Sequence, residues 1–575
     1  MLLNQQYTDT ITDLRALRPG GVHSLNVLGY YKPGDGGGGQ FYWDAWSNEP
    51  DDGGTCIVPE DNPRLGRWKR IWGDRISVKA FGAVGDGSLM SLKELFSTLL
   101  SAQAVYRHAT SLDNTLDWVA IQAALNQLNQ GMAKGNHSLV IPAGNYRISE
   151  TLQVPNSASY WSLVGAGKLS TQLRWHGPIS IPILQLTNVR SAVIRDLGFY
   201  GNGTAPPSHG ILVHRGPGKI DDAAPQDVTY ERILIANHQG ESFDIGIGYT
   251  AEENYDSNNE QGHFIDVDIH NANRYGLSFE HSNSLLHRIY GGRIEGAQAA
   301  INNVGPNNTQ GGCFQVFGAS LGLGSNPAPD SHVLRLGTAR YPIQIYGAAV
   351  ESRGGLLTTP ITVKEKTIIQ FMGGAFHIGD TNYPSVIFNA TENALLEMVG
   401  VFISNAHGVT WSFPRSGSTV LLRDMRMVTK RIAYNNQVVI EQTWNGAGDE
   451  SFELINEGDG ELKIIDGKGS LDNPRARRFD LMASRQSDDT VPDNQVMPSV
   501  QGWDYYEAAY AEPVIITNFL DGFPGKSFSF VVHNTNITIQ HNANIWLKGQ
   551  QDLQLPAKTH IRFQQAFNRV WIQAD

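Results

Sequence analysis

The stretch ISVKAFGAVGDG, from Ile76 to Gly87, is followed further along the chain by VIPAGNYRISETLQVP, from Val140 to Pro155. The first is a short β-prone run that ends in a Gly-Asp-Gly turn, and the second is a strand, a Pro-Ala-Gly-Asn turn and another strand. Between them lies DWVAIQAALNQLNQG, in which Asp117 is placed to cap a helix. Apolar residues recur in this segment near spacings of three and four, at Ile121, Leu125 and Leu128. This order predicts a helix that covers the open end of a stack of short strands.

Together with SLVGAGKLSTQLRW, from Ser162 to Trp175, these blocks resemble the start of the right-handed parallel β-helix of the pectate-lyase superfamily, in the form that bacteriophage tailspikes use. The resemblance rests on three blocks in the right order at the right distances, since one block alone is ordinary turn chemistry. It implies an all-β solenoid and a homotrimeric depolymerase that cuts a bacterial surface polysaccharide. It further implies attachment to phage tail or baseplate proteins through the N-terminus. The chain would then be made in the host cytoplasm and act, as part of the virion tail, at the host surface.

Composition agrees with a solenoid, which grows by adding coils and so escapes the size limit of one compact core. The 61 glycines and 17% charged residues suit many short strands joined by tight turns. A net charge of −12 without a basic run argues against a nucleic-acid surface. We find no signal peptide and no run approaching the ~18 apolar residues of a membrane span, so membrane insertion is not expected. The two cysteines, Cys56 and Cys313, are far apart in sequence and predict buried thiols rather than a disulfide framework.

The chain divides into three predicted parts. Residues 1–75 contain short aromatic strands and glycine-rich turns, similar to the neck that precedes the solenoid in tailspikes. Residues 76–445 form the predicted parallel β-helix, with its capping helix near 117–130. Residues 446–575 alternate polar and apolar positions and predict a C-terminal β-sandwich, for trimerisation or for carbohydrate binding.

Internal repeats give the register of the solenoid. Five similar segments begin at His287, Gln315, Gln344, Gln370 and Glu397. Their equivalent apolar positions lie 27, 29, 26 and 26 residues apart, and counting back 25 reaches one more. The residues that this spacing predicts to point into the core are Ile269, Ile294, Leu321, Val350, Phe376 and Phe402. Because alternate residues of a strand face opposite sides, their neighbours form outward columns on one exposed sheet.

One outward column is predicted as His270, Glu295, Gly322, Glu351 and His377, and the adjacent column as Asp268, Arg293, Ser320, Ala349 and Ala375. Glu295 and Glu351 are two coils apart, a backbone separation of about 9.6 Å, with the small Gly322 between them. An inverting glycosidase needs carboxylates about 6.5 to 9.5 Å apart. The flanking His270 and Arg293 could separate the pKa values of the pair into an acid and a base. The alternative is that these are ordinary solvated sheet residues.

The resemblance leaves two other functions open. A polysaccharide lyase acting on a uronic-acid polymer would use a base such as His270, with Arg293 or Arg353 neutralising the uronate. A receptor-binding spike would hold glycan without cutting it. No cofactor is expected in any of these cases.

Other candidates are weighed in the same way. Asp268, Arg293, Arg353, His270 and His377 are assigned to substrate binding. Tyr255, in the acidic insertion at 250–261, is placed to stack on a sugar, although a solvated loop explains it equally. Two aspartates, Asp266 and Asp268, share one face but supply too few oxygens for a hard cation, so no metal is expected.

Overall fold

The computed structural model describes most of the chain up to residue 353 and shorter segments beyond it. The described residues are 7–17, 22–61, 63–129, 137–156, 158–216, 226–236, 241–252, 259–281, 283–305, 312–329, 331–337, 339, 341–353, 361–363, 367–379, 388–390, 394–405, 410–413, 419–423, 426–428, 431–434, 437–441, 444–445, 453–456, 462–465, 495–497, 505–508, 512–520, 527–532, 535–566 and 570–574. None of the helices in these ranges is long and apolar enough to cross a membrane.

An N-terminal sheet precedes the solenoid. It consists, in spatial order, of the strands Tyr7–Thr8, Ser24–Val27, Gly39–Asp44, Arg67–Arg70 and Cys56–Ile57, with the helix Ile11–Ala16 packed beside it. Its buried Arg70 donates to main-chain carbonyls of the glycine-rich loop and, at 3.2 Å, to the carbonyl of Ala80 at the start of the solenoid. A Cβ on Gly37 would lie only 2.5 Å from the carbonyl oxygen of Lys79. The glycine-rich loop therefore packs closely against the main chain at the start of the solenoid.

The predicted helix covers the first coil of the solenoid. It spans Leu116–Asn126, is followed by a 3₁₀ turn at Gln127–Asn129, and is buried on all sides from Leu116 to Leu125. The cap is Thr115, whose hydroxyl accepts from the N–H of Trp118, so the prediction of Asp117 as the cap is wrong. Asp117 instead accepts from the N–H groups of Val84, Gly85 and Arg147. It ties the helix to the strands beneath it. Further short helical turns lie at Val78–Phe81, Leu92–Glu94 and Leu99–Gln103.

Three parallel sheets run along the solenoid. Sheet 1 contains Arg75–Ser77, His137–Val140, Ser159–Val164, His263–Ile265, His287–Tyr290, Phe314–Phe317, Ile343–Tyr346, Ile368–Met372, Leu395–Val399, Thr419–Arg423, Gln437–Glu441 and Leu462–Ile465. Sheet 2 contains Gly144–Ile148, Thr171–Trp175, Asp268–Ala272, Arg293–Gly296, Ser320–Leu323, Ala349–Arg353, Ala375–Gly379, Phe402–Asn405, Arg426–Val428 and Trp444–Asn445. The long strands Arg190–Tyr200 and Gln226–Ala236 pass through both sheets.

Sheet 3 closes each coil. It contains Leu152–Val154, Leu184–Thr187, His209–Arg215, Ile245–Ala251, Tyr275–Phe279, Ala299–Asn302, Leu334–Leu336, Ile361–Val363 and Phe388–Ala390. A three-stranded parallel sheet of Thr410–Phe413, Arg431–Tyr434 and Glu453–Asn456 belongs to the later coils. The parallel pairing in all three sheets confirms the all-β, parallel β-helix class.

In successive coils the chain turns from sheet 1 to sheet 2 at a corner residue whose backbone has the left-handed conformation, with positive φ. In the later coils this corner falls at Gly291, Gly318, Gly347, Gly373 and Gly400, with φ between 61° and 66°. In earlier coils the same bend is made by Asp196, Arg232 and Asp266, with φ of 60°, 51° and 50°. Because L-residues with a Cβ rarely adopt positive φ, this corner explains the glycines that recur in the repeats.

The core column agrees with the predicted register except at its end. Ile269, Ile294, Leu321, Val350 and Phe376 are all buried and pair in that order. Phe376 then pairs with Ile403, while Phe402 pairs with Ala375 and is only partly buried. The prediction of Phe402 as a core residue is therefore wrong by one position. Both cysteines are free, buried thiols, as predicted.

Parallel pairing continues past the boundary expected at residue 445. Leu462–Ile465 pairs with Gln437–Glu441 in sheet 1, so the solenoid includes at least the first strands assigned to the C-terminal part. Two further sheets then share one apolar core around Phe519, Phe528 and Trp571. One contains Gln495–Val496, Val514–Ile516, Ile537–Ile539 and Leu553–Gln554. The other contains Tyr505–Ala508, Ser527–Val532, Thr559–Gln565, Trp571–Gln573 and Ile545–Trp546.

Candidate active site

The predicted outward column lies on the surface of sheet 2. Glu295 pairs with Gly322, Gly322 with Glu351, and Glu351 with His377. Two rungs of a parallel sheet separate the backbones of Glu295 and Glu351 by about 9.6 Å. The sequence therefore placed these four residues in one column correctly.

Gly322 leaves the space between the two glutamates open. A Cβ built at this position would lie 3.7 Å from the Cβ of Glu351 and 4.0 Å from the Cγ of Glu295. These two carbons are consequently no more than about 7.7 Å apart. Beside Gly322 the adjacent column is also small, with Ser320 and Ala349 in register. The small residues between and beside the two glutamates thus leave a shallow depression in the side-chain layer of the sheet.

The two glutamates differ in environment. The side chain of Glu295 is 8% exposed, and its Oε1 lies 2.6 Å from Nη2 of Arg293 in the same strand. Arg293 is itself 38% exposed, so this ion pair lies at the surface of sheet 2, beside the depression at Gly322. Glu351 is partly exposed. A cation therefore neutralises the more buried carboxylate, and the other carboxylate lies nearer to solvent.

His270 shares the predicted place opposite Glu295 with Asn271. The pairing between Asp268–Ala272 and Arg293–Gly296 contains a bulge, in which His270 and Asn271 together oppose Glu295. Asn271 has a positive φ of 53°, and its Oδ1 accepts from the N–H of Ser325 at 2.8 Å. Because two residues of this strand oppose one residue of the next strand, the pairing register shifts by one residue at this rung.

A lysine from an earlier coil completes the charges of the groove. Lys168 Nζ lies 2.8 Å from Asp268 and 3.2 Å from Asp266. Burial opposes its charge, but the bonds and charges of these two aspartates raise the pKa of Lys168 above its usual value. The other oxygen of Asp268 accepts from the N–H of Arg293 at 3.1 Å. Asp268 therefore connects the lysine to the strand that carries Glu295.

Lys168 is the residue that sequence reasoning missed. It precedes Asp268 by 100 residues and belongs to the SLVGAGKLSTQLRW block, whose sequence indicates the fold but not this contact. An ammonium group here occupies the position between two aspartates that a metal ion would need. Arg353 lies in Ala349–Arg353, but its side chain is outside the description, and Tyr255 lies outside the described residues. His377 is exposed beside Glu351.

The outer surface of sheet 1 has a different character. Its edge column is the stripe Ile265, Tyr290, Phe317, Tyr346, Met372 and Val399. The rings of Tyr290 and Phe317 stack with centroids 5.0 Å apart, and those of Phe317 and Tyr346 at 5.1 Å. We call this column the aromatic stripe. It is accessible in part, since Tyr290 and Ile265 are each 38% exposed.

A ladder of amides runs beside the aromatic stripe. Gln315 donates to Gln344 at 2.7 Å, Gln344 to Gln370 at 2.9 Å, and Gln370 to Glu397 at 2.8 Å. Between Arg288 and Glu397 neither column contains a charged residue. Between these two residues the outer surface of sheet 1 is therefore uncharged and its amides bond to one another, whereas the surface of sheet 2 is charged.

Comparison with known proteins agrees with this architecture. Residues 7–73 match the family model of the phage tail protein small four-stranded beta-sheet domain. A stretch of 79 residues is 39% identical to the Mu-like prophage FluMu defective tail fiber protein of Haemophilus influenzae, covering 13% of this chain and 12% of that protein. The structure superposes on the enzymatically active domain of tailspike protein 2 from bacteriophage CBA120 with a TM-score of 0.50 and 14% identity.

That superposition covers 80% of this chain and 61% of the CBA120 domain. The chain has the fold of a phage tailspike. The resemblance predicted from the sequence is thus confirmed at the level of fold, and the N-terminal sheet is similar to a phage tail domain. Tailspike gp49 of Acinetobacter baumannii bacteriophage Fri1, described as a capsular polysaccharide depolymerase, is also similar, with a TM-score of 0.44, 12% identity, and coverage of 82% of this chain and 77% of that one. The chain spans about three fifths of the CBA120 domain and carries a match to 12% of the tail fibre protein.

Proposed function

We propose that the chain is a phage tailspike depolymerase that hydrolyses a bacterial surface polysaccharide on sheet 2. The observation that carries the proposal is the column Glu295, Gly322, Glu351, in which two carboxylates border one depression. The backbone separation of about 9.6 Å, two rungs of a parallel sheet, leaves room for two carboxylates at the separation that an inverting glycosidase needs. The fold shared with an enzymatically active tailspike domain and the N-terminal phage tail domain support the same function.

The environments of the two carboxylates suggest their roles. Glu295 is paired with Arg293, which suits a carboxylate that must remain charged to activate a water. Glu351 lies nearer to solvent on the other side of Gly322 and would protonate the leaving oxygen of the glycosidic bond. Lys168 and Asp268 hold the strand that carries the ion pair and border the substrate groove. His377 pairs with Glu351 on the next coil, and Arg353 lies two residues after Glu351 in the same strand.

A lyase mechanism is the second candidate, and one observation weighs against it. Elimination needs a cation that neutralises the uronate of the substrate. Arg293 is already paired with Glu295, and Lys168 with two aspartates, so both cations of the described groove are engaged by the protein. Hydrolysis uses this arrangement without breaking either pair.

The test is cleavage of surface polysaccharide purified from the host. Glu295→Gln and Glu351→Gln should each lower the rate of reducing-end release at least about a hundredfold, because loss of a general acid or base typically has this effect, while polymer binding persists. Glu397→Gln is the matched control, since Glu397 lies on sheet 1 and glutamine can still accept from Gln370. Products that carry a conjugated double bond would instead identify a lyase, and binding without any cleavage would identify a receptor-binding spike.

We further propose that the chain is a homotrimer that attaches to the phage tail through its N-terminal domain. The aromatic stripe supports a side-by-side contact, because long apolar surfaces without charge are typical of interfaces. Copies related by a rotation axis parallel to the solenoid axis would place equivalent coils side by side, so that the aromatic stripe of each copy meets its neighbour at the same level. Tyr290→Lys with Tyr346→Lys should shift the sedimentation coefficient toward that of a monomer. Tyr42→Lys, at a tyrosine 43% exposed on the N-terminal sheet, should not, and an unchanged trimer in the double variant would remove this interface.

A further inference from the structure

The C-terminal sheets carry a concave site that the proposed cleavage does not use. A cleft of about 590 Å³ opens on their outer surface, lined in part by Trp546, Ile572, His541, Lys548 and Gln573. This volume is in the range of small-ligand sites, which span roughly 300 to 1,000 Å³. The part of the lining that the structure describes contains no carboxylate.

Strand alternation explains why an indole is exposed there. Ile545–Trp546 pairs in parallel with Trp571–Gln573, so Trp546 stands beside Ile572 on one face. On the other face Ile545 and Trp571 are fully buried. Trp546 is 53% exposed and Ile572 41%, although burying them would be favourable. The buried partners fix the strands, so the exposed indole stands on a rigid support.

Two polar side chains of the cleft are oriented by the main chain. Nδ1 of His541 accepts from the N–H of Leu547 at 3.0 Å, and Oε1 of Gln573 accepts from the N–H of Lys548 at 3.0 Å. Each acceptor is thereby used, which leaves Nε2 of both side chains as a donor. Among the described residues neither Nε2 group has an acceptor. Donors that are held in a fixed direction, and that have no acceptor in the described part of the chain, are groups that a ligand can satisfy.

We propose that this cleft binds a pyranose unit of the surface glycan without cutting it. An exposed indole packs against the C–H face of a sugar ring, and oriented N–H donors match its ring and hydroxyl oxygens. The absence of carboxylates in the described lining separates this site from the hydrolytic column on sheet 2. The aromatic stripe offers no comparable platform, since its central rings cover one another's faces and its amides bond to one another. The proposal holds whether or not sheet 2 cleaves.

A second binding point would act on long polymers in particular. A chain held in the C-terminal cleft is retained near the molecule after it leaves sheet 2, so the two sites together bind more tightly than either alone. Short oligosaccharides cannot reach both. The cleft therefore contributes to affinity for polymer and leaves turnover of short substrates unchanged.

The experiment compares Trp546→Ala with Trp46→Ala in the full chain, because Trp46 is an exposed tryptophan, 84% accessible, in the turn that follows the strand Gly39–Asp44 of the N-terminal domain. The probes are purified host polysaccharide and short oligosaccharides made from it by mild acid. We expect Trp546→Ala to weaken polymer binding at least about tenfold, as loss of a central tryptophan does. Gln573→Glu, which keeps the acceptor for Lys548 and removes the donor, should act in the same direction.

Three results would overturn the proposal. Equal polymer affinity in Trp546→Ala and Trp46→Ala would exclude the cleft. A tenfold loss of turnover on short oligosaccharides in Trp546→Ala would place the cleft in the catalytic site instead. Dissociation of the oligomer by Trp546→Ala would make the cleft a contact between subunits. A chain that binds polymer through Trp546 but never cleaves it would refute the hydrolase and retain the glycan cleft.

Discussion

The register of the solenoid can be tested with two neighbouring substitutions, Val350→Asp and Glu351→Gln. Val350 is 1% exposed and lies between Leu321 and Phe376 in the core column. Removing its buried side chain forfeits about 1.5 to 3 kcal/mol, and an unpaired carboxylate in the same place adds several kcal/mol more. We therefore expect Val350→Asp to destabilise the fold by at least about 4 kcal/mol. Glu351 points the other way, so its substitution should change stability by less than about 0.5 kcal/mol.

The assay must suit a long solenoid whose unfolding need not be reversible. The half-life of tryptophan fluorescence at a fixed guanidinium chloride concentration measures the unfolding barrier directly. Val350→Asp should shorten this half-life by orders of magnitude, and Val350→Ala, which removes methyl groups without adding charge, should fall between it and the unchanged chain. If Val350→Asp and Glu351→Gln unfolded at the same rate, the assignment of inward and outward positions would be refuted.

The remaining predictions concern the groove, the corner, acid stability and assembly. Gly322→Ala should fit in ordinary contact, whereas Gly322→Leu should fill the depression and lower hydrolysis at least about tenfold with unchanged unfolding kinetics. Gly318→Ala should cost about 1 kcal/mol in denaturant titrations, because φ is 66° there and no atom lies within 4 Å of the added Cβ, and Gly318→Asn should cost less. Burial and the charge of His263 lower the pKa of His287 to about 3, so the unfolded chain binds a proton that the native chain does not, and stability should fall as the pH drops from about 6.5 toward 3. His287→Gln should flatten that dependence, and an unchanged slope would contradict it. Removing residues 495–575 should lower the trimer fraction in light scattering, and a stable truncated trimer would assign assembly to the solenoid alone.

The sequence predicted the central register because two periodicities agreed. Alternation along each strand and a repeat of 25 to 29 residues both place Ile294, Leu321 and Val350 inside, and the structure confirms them. The error at Phe402 shows which signal decides. Phe376 lies three residues after the corner glycine Gly373, whereas Phe402 lies only two residues after the corresponding Gly400. The residue that corresponds to Phe376 is therefore Ile403. The aromatic similarity of two phenylalanines is a weaker guide than the position of the corner.

The groove was less accessible to sequence reasoning, for physical reasons. The bulge at His270 depends on a positive φ at Asn271, which no alternation of polar and apolar residues reveals. Lys168 reaches Asp268 across 100 residues, and only the stacking of coils brings them together. The cap at Thr115 in place of Asp117 shows a third limit, because both residues can cap a helix and the carboxylate of Asp117 is used by N–H groups of other segments instead. Local pattern predicts the strands, and contacts between coils must come from the structure.

The parallel ladders also have a mechanical consequence. In a solenoid the hydrogen bonds between coils lie along the axis, so tension between the two ends stretches them rather than sliding strands past each other. Within one coil the bonds of all three sheets share the load, and successive coils carry it in series. A chain anchored at its N-terminal sheet and held by polymer at its C-terminal cleft would yield first at its weakest coil. The bulged rung at His270, where two residues oppose one, is the place in the described ladder of sheet 2 where the load on neighbouring bonds is least evenly shared.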